Sequence, residues 1–225
     1  MRCNAEFLPR NSRSKRSNLE LTIIQDIIFD LGGVIIGLDT QKTVDALAKL
    51  TGISDAEAQL IFRSAEEFKE YEIGKLTDEE FRNFIRSFSK EPLKDKEVDH
   101  AWNAMILDIP EHHFELLTHL SQTHRVHLLS NTNNIHLRYV ESKLHESGKD
   151  SFKSYFYHQF YSHKMGMRKP NRDIYEAVLL QGDMKAHTTL FLDDNLDNVN
   201  AAKKLGINVY QVTQLADTAR FFNER

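Results

Sequence analysis

Cysteine is almost missing from this chain: Cys3 stands alone among 225 residues. No internal disulfide can form, and a reducing, cytoplasmic setting is expected. Long apolar runs are missing too. No stretch approaches the ~18 apolar residues of a membrane-spanning helix. The first twenty residues carry Arg2, Arg10, Arg13, Lys15 and Arg16 but no apolar segment of the kind a secretory signal needs. Residues 1–20 are therefore expected to be a flexible, solvated extension. Charge of one sign is not in excess, since 29 Lys and Arg oppose 33 Asp and Glu. No overall field draws the chain to nucleic acid or to an anionic membrane, and neither is expected as a partner. Internal repeats are absent, and composition leaves the oligomeric state open.

What is present is an alternation of short apolar runs and helical stretches, with a hydrophobic content of 40% that suits one large domain or a domain carrying an insert. "DIIFDL" (26–31), "RVHLLSN" (125–131), "HQFYSH" (158–163), "TTLFLDD" (188–194) and "INVYQV" (207–212) read as strands. The stretches "NRDIYEAVLLQG" and "LDNVNAAKKLG" read as helices stopped by Gly182 and Gly206. This order predicts an α/β fold, a parallel sheet flanked by crossover helices. Between Thr40 and about Leu107 no strand is evident. Capping boxes at Ser54 with Glu57 and at Thr77 with Glu80 mark helix starts there. The expected organisation is a core of residues 21–39 and 108–225 with a helical cap, 40–107, over the sheet edge where α/β folds bind ligands. Closure of that cap would exclude water from the pocket.

Four loops at predicted strand ends hold polar residues of complementary type: the first strand ends at Asp30, the second at Ser130-Asn131-Thr132, the third is followed by "MGMRKP" with Lys169, and the fourth ends at Asp193-Asp194. Each alone has an ordinary explanation: a turn cap, a helix start, a solvated charge. Together, in this order, they resemble the haloacid dehalogenase-like hydrolases, especially the branch similar to bacterial α-D-glucose-1-phosphate phosphatases. The matching stretches are "FDLGGVI", "LLSNT", "GMRKP" and "FLDDNLDN", with "HAWNAM" around Trp102 similar to that branch's cap.

The resemblance implies a Rossmann-like core with the cap inserted after the first strand. It also implies a bound Mg²⁺ and hydrolysis of a small phosphorylated metabolite, a sugar phosphate such as glucose 1-phosphate, through an aspartyl-phosphate. Asp30 would be the nucleophile, with Lys169 and Ser130 completing the catalytic set. Ser130, Asn131 and Lys169 would hold the phosphate. Asp30, the Gly32 carbonyl, Asp194 and Asp193 would serve the metal, with Asp194 favoured as direct ligand and Asp193 acting through water or as partner of Lys169. The chemistry agrees: an anionic ester repels an attacking carboxylate unless positive charge is nearby, and Mg²⁺ takes hard oxygen ligands.

One carboxylate is missing. Most family phosphatases place a second aspartate two residues after the nucleophile to protonate the leaving group, and here that residue is Gly32. General acid catalysis contributes ~10² to 10⁴ in rate, so efficiency is threatened more than binding. Asp39 is one substitute, though a helix cap is the simpler role for it. Two other functions fit the same sequence: a metal-independent 2-haloacid dehalogenase, and a binding protein that turns nothing over. His112, His113, His119, His124 and His127 give no zinc spacing and read as surface helix residues. Glu70 or Trp102 could line the pocket.

Overall fold

The computed structural model describes residues 21–224. The basic extension expected at 1–20 lies outside the described residues. Five strands, β1 (Asp26–Phe29), β2 (Arg125–Ser130), β3 (His158–Tyr161), β4 (Thr189–Asp193) and β5 (Asn208–Gln211), form one sheet in the order β3-β2-β1-β4-β5. Every pairing is parallel. All five lie within the segments read as strands but are shorter. Ser162 and His163, for example, turn into helix instead of continuing β3.

Eleven α-helices accompany the sheet among the described residues: α1 (Thr40–Thr51), α2 (Asp55–Ser64), α3 (Glu66–Glu72), α4 (Asp78–Arg86), α5 (Asp95–Asn103), α6 (Glu111–Leu120), α7 (Asn134–Glu146), α8 (Ser162–Met165), α9 (Arg172–Gln181), α10 (Leu196–Lys204) and α11 (Asp217–Asn223). Parallel strands are apolar on both faces because helices cover both. Ile27 and Phe29 of β1 join one core cluster, whereas Ile28 points the other way into a second with Leu129 and Phe191. No described helix is long and apolar enough to cross a membrane.

Helices α1–α5 follow one another between β1 and β2, with no strand among them. Both predicted capping boxes form. The segment's aromatic residues continue the first core cluster: Trp102 stacks on Phe68 at 5.3 Å, lies 4.8 Å from Phe81 and stacks on His136 of α7 at 4.7 Å. Its two connections to the sheet run side by side: Asp39 N–H donates to Met105 O (2.9 Å) and Leu107 N–H to Gly37 O (2.9 Å).

Helices α9 and α10 stop at Gly182 and Gly206 as expected, Gly206 with a left-handed φ of +82°, whereas after α9 the positive φ falls on Asp183. One sequence expectation needs correction. His113 and His127 are fully buried, not on the surface, and His127 lies in β2.

Candidate active site

The sheet order reverses around β1: the chain adds β2 and β3 on one side, then crosses to β4 on the other. Ligand crevices of α/β sheets open at the carboxyl ends of strands at such a point. Asp30 follows β1 there, its N–H still donating to Leu192 O of β4 (2.9 Å), and Asp193 ends β4 beside it. The turn after Asp30 is tight. Leu31 N–H donates to Asp30 Oδ1 (2.7 Å), and the Leu31 carbonyl accepts from Ile35 and Ile36 (both 2.9 Å). Gly33 has φ +74°, and a Cβ on it would lie 2.5 Å from Asp194 Oδ2. Only glycine lets the backbone pass so near that carboxylate.

Lys169 is buried to 1% exposure between the strands. Its three ammonium protons meet three acceptors: Asp30 Oδ1 at 2.8 Å, Asp193 Oδ2 at 2.7 Å and Leu129 O at 2.9 Å. Burial opposes its charge, but Asp193 and Asp30 outweigh burial and raise its pKa. Lys169 is held from behind by Asn131, whose side-chain amide donates to Lys169 O and accepts from Lys169 N–H, both at 2.9 Å. The Asn131 side chain, expected to bind substrate, is thus spent on positioning the lysine. The Lys169–Pro170 peptide is cis.

The two adjacent aspartates differ in circumstance. Asp193 is wholly buried and saturated: besides Lys169 it accepts from Asn195 N–H (2.8 Å) and from Asn198 Nδ2 (3.0 and 3.1 Å). Asn198 is fixed in turn by Tyr175, whose hydroxyl donates to its carbonyl (3.0 Å). Asp194 is exposed. Partial desolvation, and then the charge of Asp193, raise its pKa. Oxygens of Asp30, Asp193 and Asp194 lie within 4.8 Å of one another. Three carboxylates face one ammonium, and Asp30 registers the excess: burial raises its pKa, Lys169 pulls it back, the other two aspartates push it up again, and it stands at about 7. Hard oxygens gathered around surplus negative charge suit a magnesium-like cation.

Ser130 ends β2 and, with Gly32, Asn131 and Thr132, lines a cavity of about 290 Å³ that reaches into the helical insert. It starts no helix; Asn133 caps α7, its Oδ1 accepting from His136 N–H (3.0 Å). Asp39 caps α1, accepting from Gln41 N–H (3.2 Å). The insert contributes Glu72 to the cavity wall, not Glu70 or Trp102. Glu70 pairs with Lys75 at the surface and Trp102 is buried. Asn198, Tyr175 and Ser162, which holds the Thr132 backbone through N–H (2.9 Å) and carbonyl (3.1 Å), escaped the sequence reading. Only "LDNVN", with Asn198 one helical turn after Asp194, carried a signal.

A family model described as haloacid dehalogenase-like hydrolase matches residues 27–212. The chain belongs to that family. Among curated relatives of this haloacid dehalogenase-like hydrolase is a D-ribitol-5-phosphate phosphatase of Bacteroides thetaiotaomicron, 30% identical over 87% of this chain and 95% of its own length. Among solved structures, a HAD family enzyme of the same bacterium, in complex with magnesium and inorganic phosphate, is 33% identical with a TM-score of 0.78, covering 84% of this chain and 93% of that one. A predicted HAD-like hydrolase of Porphyromonas gingivalis is 28% identical with a TM-score of 0.81, covering 90% and 100%.

Proposed function

We propose that this hydrolase is a Mg²⁺-dependent phosphatase acting on a small phosphorylated metabolite, with Asp30 as nucleophile. The observation that carries the reading is the Lys169 ammonium held 2.8 Å from Asp30 and 2.7 Å from Asp193 beside a third carboxylate. A site so built needs further positive charge, and an attacking carboxylate facing a phosphate anion needs the same.

Oδ1 of Asp30 accepts from Leu31 N–H and Lys169, which leaves Oδ2 to attack phosphorus as the ester P–O bond breaks and the departing alkoxide takes its proton from solvent water. Asp30, Asp194 and the Gly32 carbonyl would hold Mg²⁺, which when bound offsets the repulsion between carboxylate and phosphate. Asp193 serves by holding Lys169. Ser130 and the main-chain N–H of Asn131 receive the phosphoryl oxygens, Thr132 N–H being held by Ser162. Residues 40–107 act as the cap that covers this end of the sheet. Water then releases phosphate and restores the Asp30 carboxylate.

A phosphate-release panel including glucose 1-phosphate and D-ribitol 5-phosphate, run with Mg²⁺ beside Asp30→Asn, tests the reading. Turnover falling at least 10³-fold in the variant is expected. Equal background from both proteins would favour a binding protein, and halide release from a 2-halo acid in excess chelator would favour the dehalogenase.

A further inference from the structure

The cavity that starts at Gly32 and Ser130 widens between walls of hydrocarbon: Leu38, Phe62, Met105, Ile106, Leu137 and Val140. Its polar side chains are mostly engaged elsewhere. Asn131 holds the Lys169 backbone through both ends of its amide. His136 uses Nε2 on Trp102 O (3.1 Å) and Nδ1 on Asn133 (3.2 Å). Glu72 spends Oε2 on Arg168 (2.9 and 3.1 Å), which leaves Oε1 as an acceptor. The hydroxyls of Ser130, Thr40 and Thr132 remain, and the first of these belongs to the phosphoryl end.

The position above the leaving group is apolar as well. A Cβ on Gly32, where a protonating carboxylate would begin, meets Leu38 Cδ1 at 2.3 Å. Leu38 fills that place.

A polyol entering this cavity would lose water from several hydroxyls and find two threonine hydroxyls and Glu72 Oε1 in exchange. Each hydroxyl left unpaired costs roughly tenfold or more in binding. An alkyl body instead gains about three- to fourfold for each methylene taken out of water. The volume of about 290 Å³ lies at the small end of ligand pockets, which run roughly 300–1,000 Å³.

From the lining we infer that the preferred substrate is a phosphate monoester of a small alcohol with an apolar body, not of a sugar or polyol. The inference rests on the phosphatase reading above and adds the class of the leaving group.

Pentyl phosphate and D-ribitol 5-phosphate share a five-carbon chain and differ by four hydroxyls, so they isolate the question. With Mg²⁺, kcat/KM is expected to rise about threefold per methylene from propyl to pentyl phosphate. Pentyl phosphate should exceed ribitol 5-phosphate at least tenfold. Leu38→Asn, at a half-exposed position, should lower the pentyl-to-acetyl phosphate ratio of kcat/KM about tenfold. A flat series, or ribitol 5-phosphate equal to or better than pentyl phosphate, overturns the inference while leaving the phosphatase reading intact. Calorimetry with alkylphosphonates reads the pocket without turnover. Pentylphosphonate binding tighter than methylphosphonate, in a protein that releases no phosphate from any ester, would sink the phosphatase reading and keep the apolar pocket; equal binding would sink the pocket.

Discussion

Strand β1 begins on one buried aspartate and is followed at once by another, and the two are treated in opposite ways. At the amino end, Asp26 is fully buried but meets only donors. Arg125 Nε lies 2.8 Å and Nη2 3.0 Å from its oxygens, and His127 Nε2 lies 2.9 Å away. Arg125 reaches on to the carbonyls of Gly182 (3.3 Å) and Asp183 (2.9 Å), stapling β1 and β2 to the end of α9. At the carboxyl end, four residues later, Asp30 shares one ammonium with Asp193 and has Asp194 beside it. The first arrangement neutralises a charge, and the second accumulates charge. A satisfied buried carboxylate holds strands together, whereas a crowded one is chemically poised, with its proton held to about pH 7.

The two ends should therefore break differently. Lys169→Met is the severest change, because it strands Asp30 and Asp193 in the interior with no counter-charge. Removing one partner of a buried ion pair costs about 3–5 kcal/mol. That loss is expected in the metal-free protein at pH 8, by denaturant titration, with a smaller loss at pH 5, where a proton shared by the aspartates substitutes for the ammonium. A loss independent of pH would show that the carboxylates do not repel one another. Asp26→Ala should cost less, about 1–3 kcal/mol. It leaves Arg125 able to turn to solvent, since the guanidinium side chain is already 36% exposed, and leaves only neutral His127 unpaired. Steady-state kcat in the folded fraction should stay within threefold, because Asp26 is at the far end of the strand. A large fall in kcat there would link the two ends of β1.

How far these ends could be read in advance differs for the same reason. Asp30, Asp193 and Asp194 sit at strand ends before glycine or polar turns, where a periodicity argument isolates a charged residue from the apolar run preceding it; Lys169, beyond α8, was legible only through the motif "GMRKP". Asp26 and His127 sit inside the apolar runs themselves, and only pairing register brings them together: Asp26 opposes Arg125 and Ile28 opposes His127. Register between strands almost a hundred residues apart is invisible to local pattern. The same limit hid Asn131's grip on Lys169 and Leu38's place over Gly32, since both are contacts between loops. The helical insert was legible because capping boxes are local, four-residue signals, but which of its acids faces the cavity depended on how α3 is rotated against the sheet.

The finest difference between the two ends is the sign of their pH dependence. Burial holds the His127 imidazole below its usual pKa despite Asp26, and burial likewise lowers His113, His163 and His136, the last to about 4. The unfolded chain binds those protons more readily, so this stability is present above the unfolded value of about 6.5 and is lost as pH falls below it. Asp30 runs the other way. Its pKa rises from 3.8 to about 7 on folding, so its contribution is present below the unfolded value and is lost as pH rises through 7; Asp194, also raised, adds to the same side. In chelator, the two slopes oppose each other between pH 4 and 7 and flatten the wild-type profile. Asp30→Asn should uncover the histidine slope, making stability climb with pH across that window. His127→Gln should tilt the profile the opposite way and by less, since burial lowers three other imidazoles as well. Denaturation midpoints at four pH values measure both. Parallel profiles for wild type and Asp30→Asn would mean that Asp30 is already ionised across the range, and that the crowding of charge at the carboxyl end of β1 is weaker than its geometry implies.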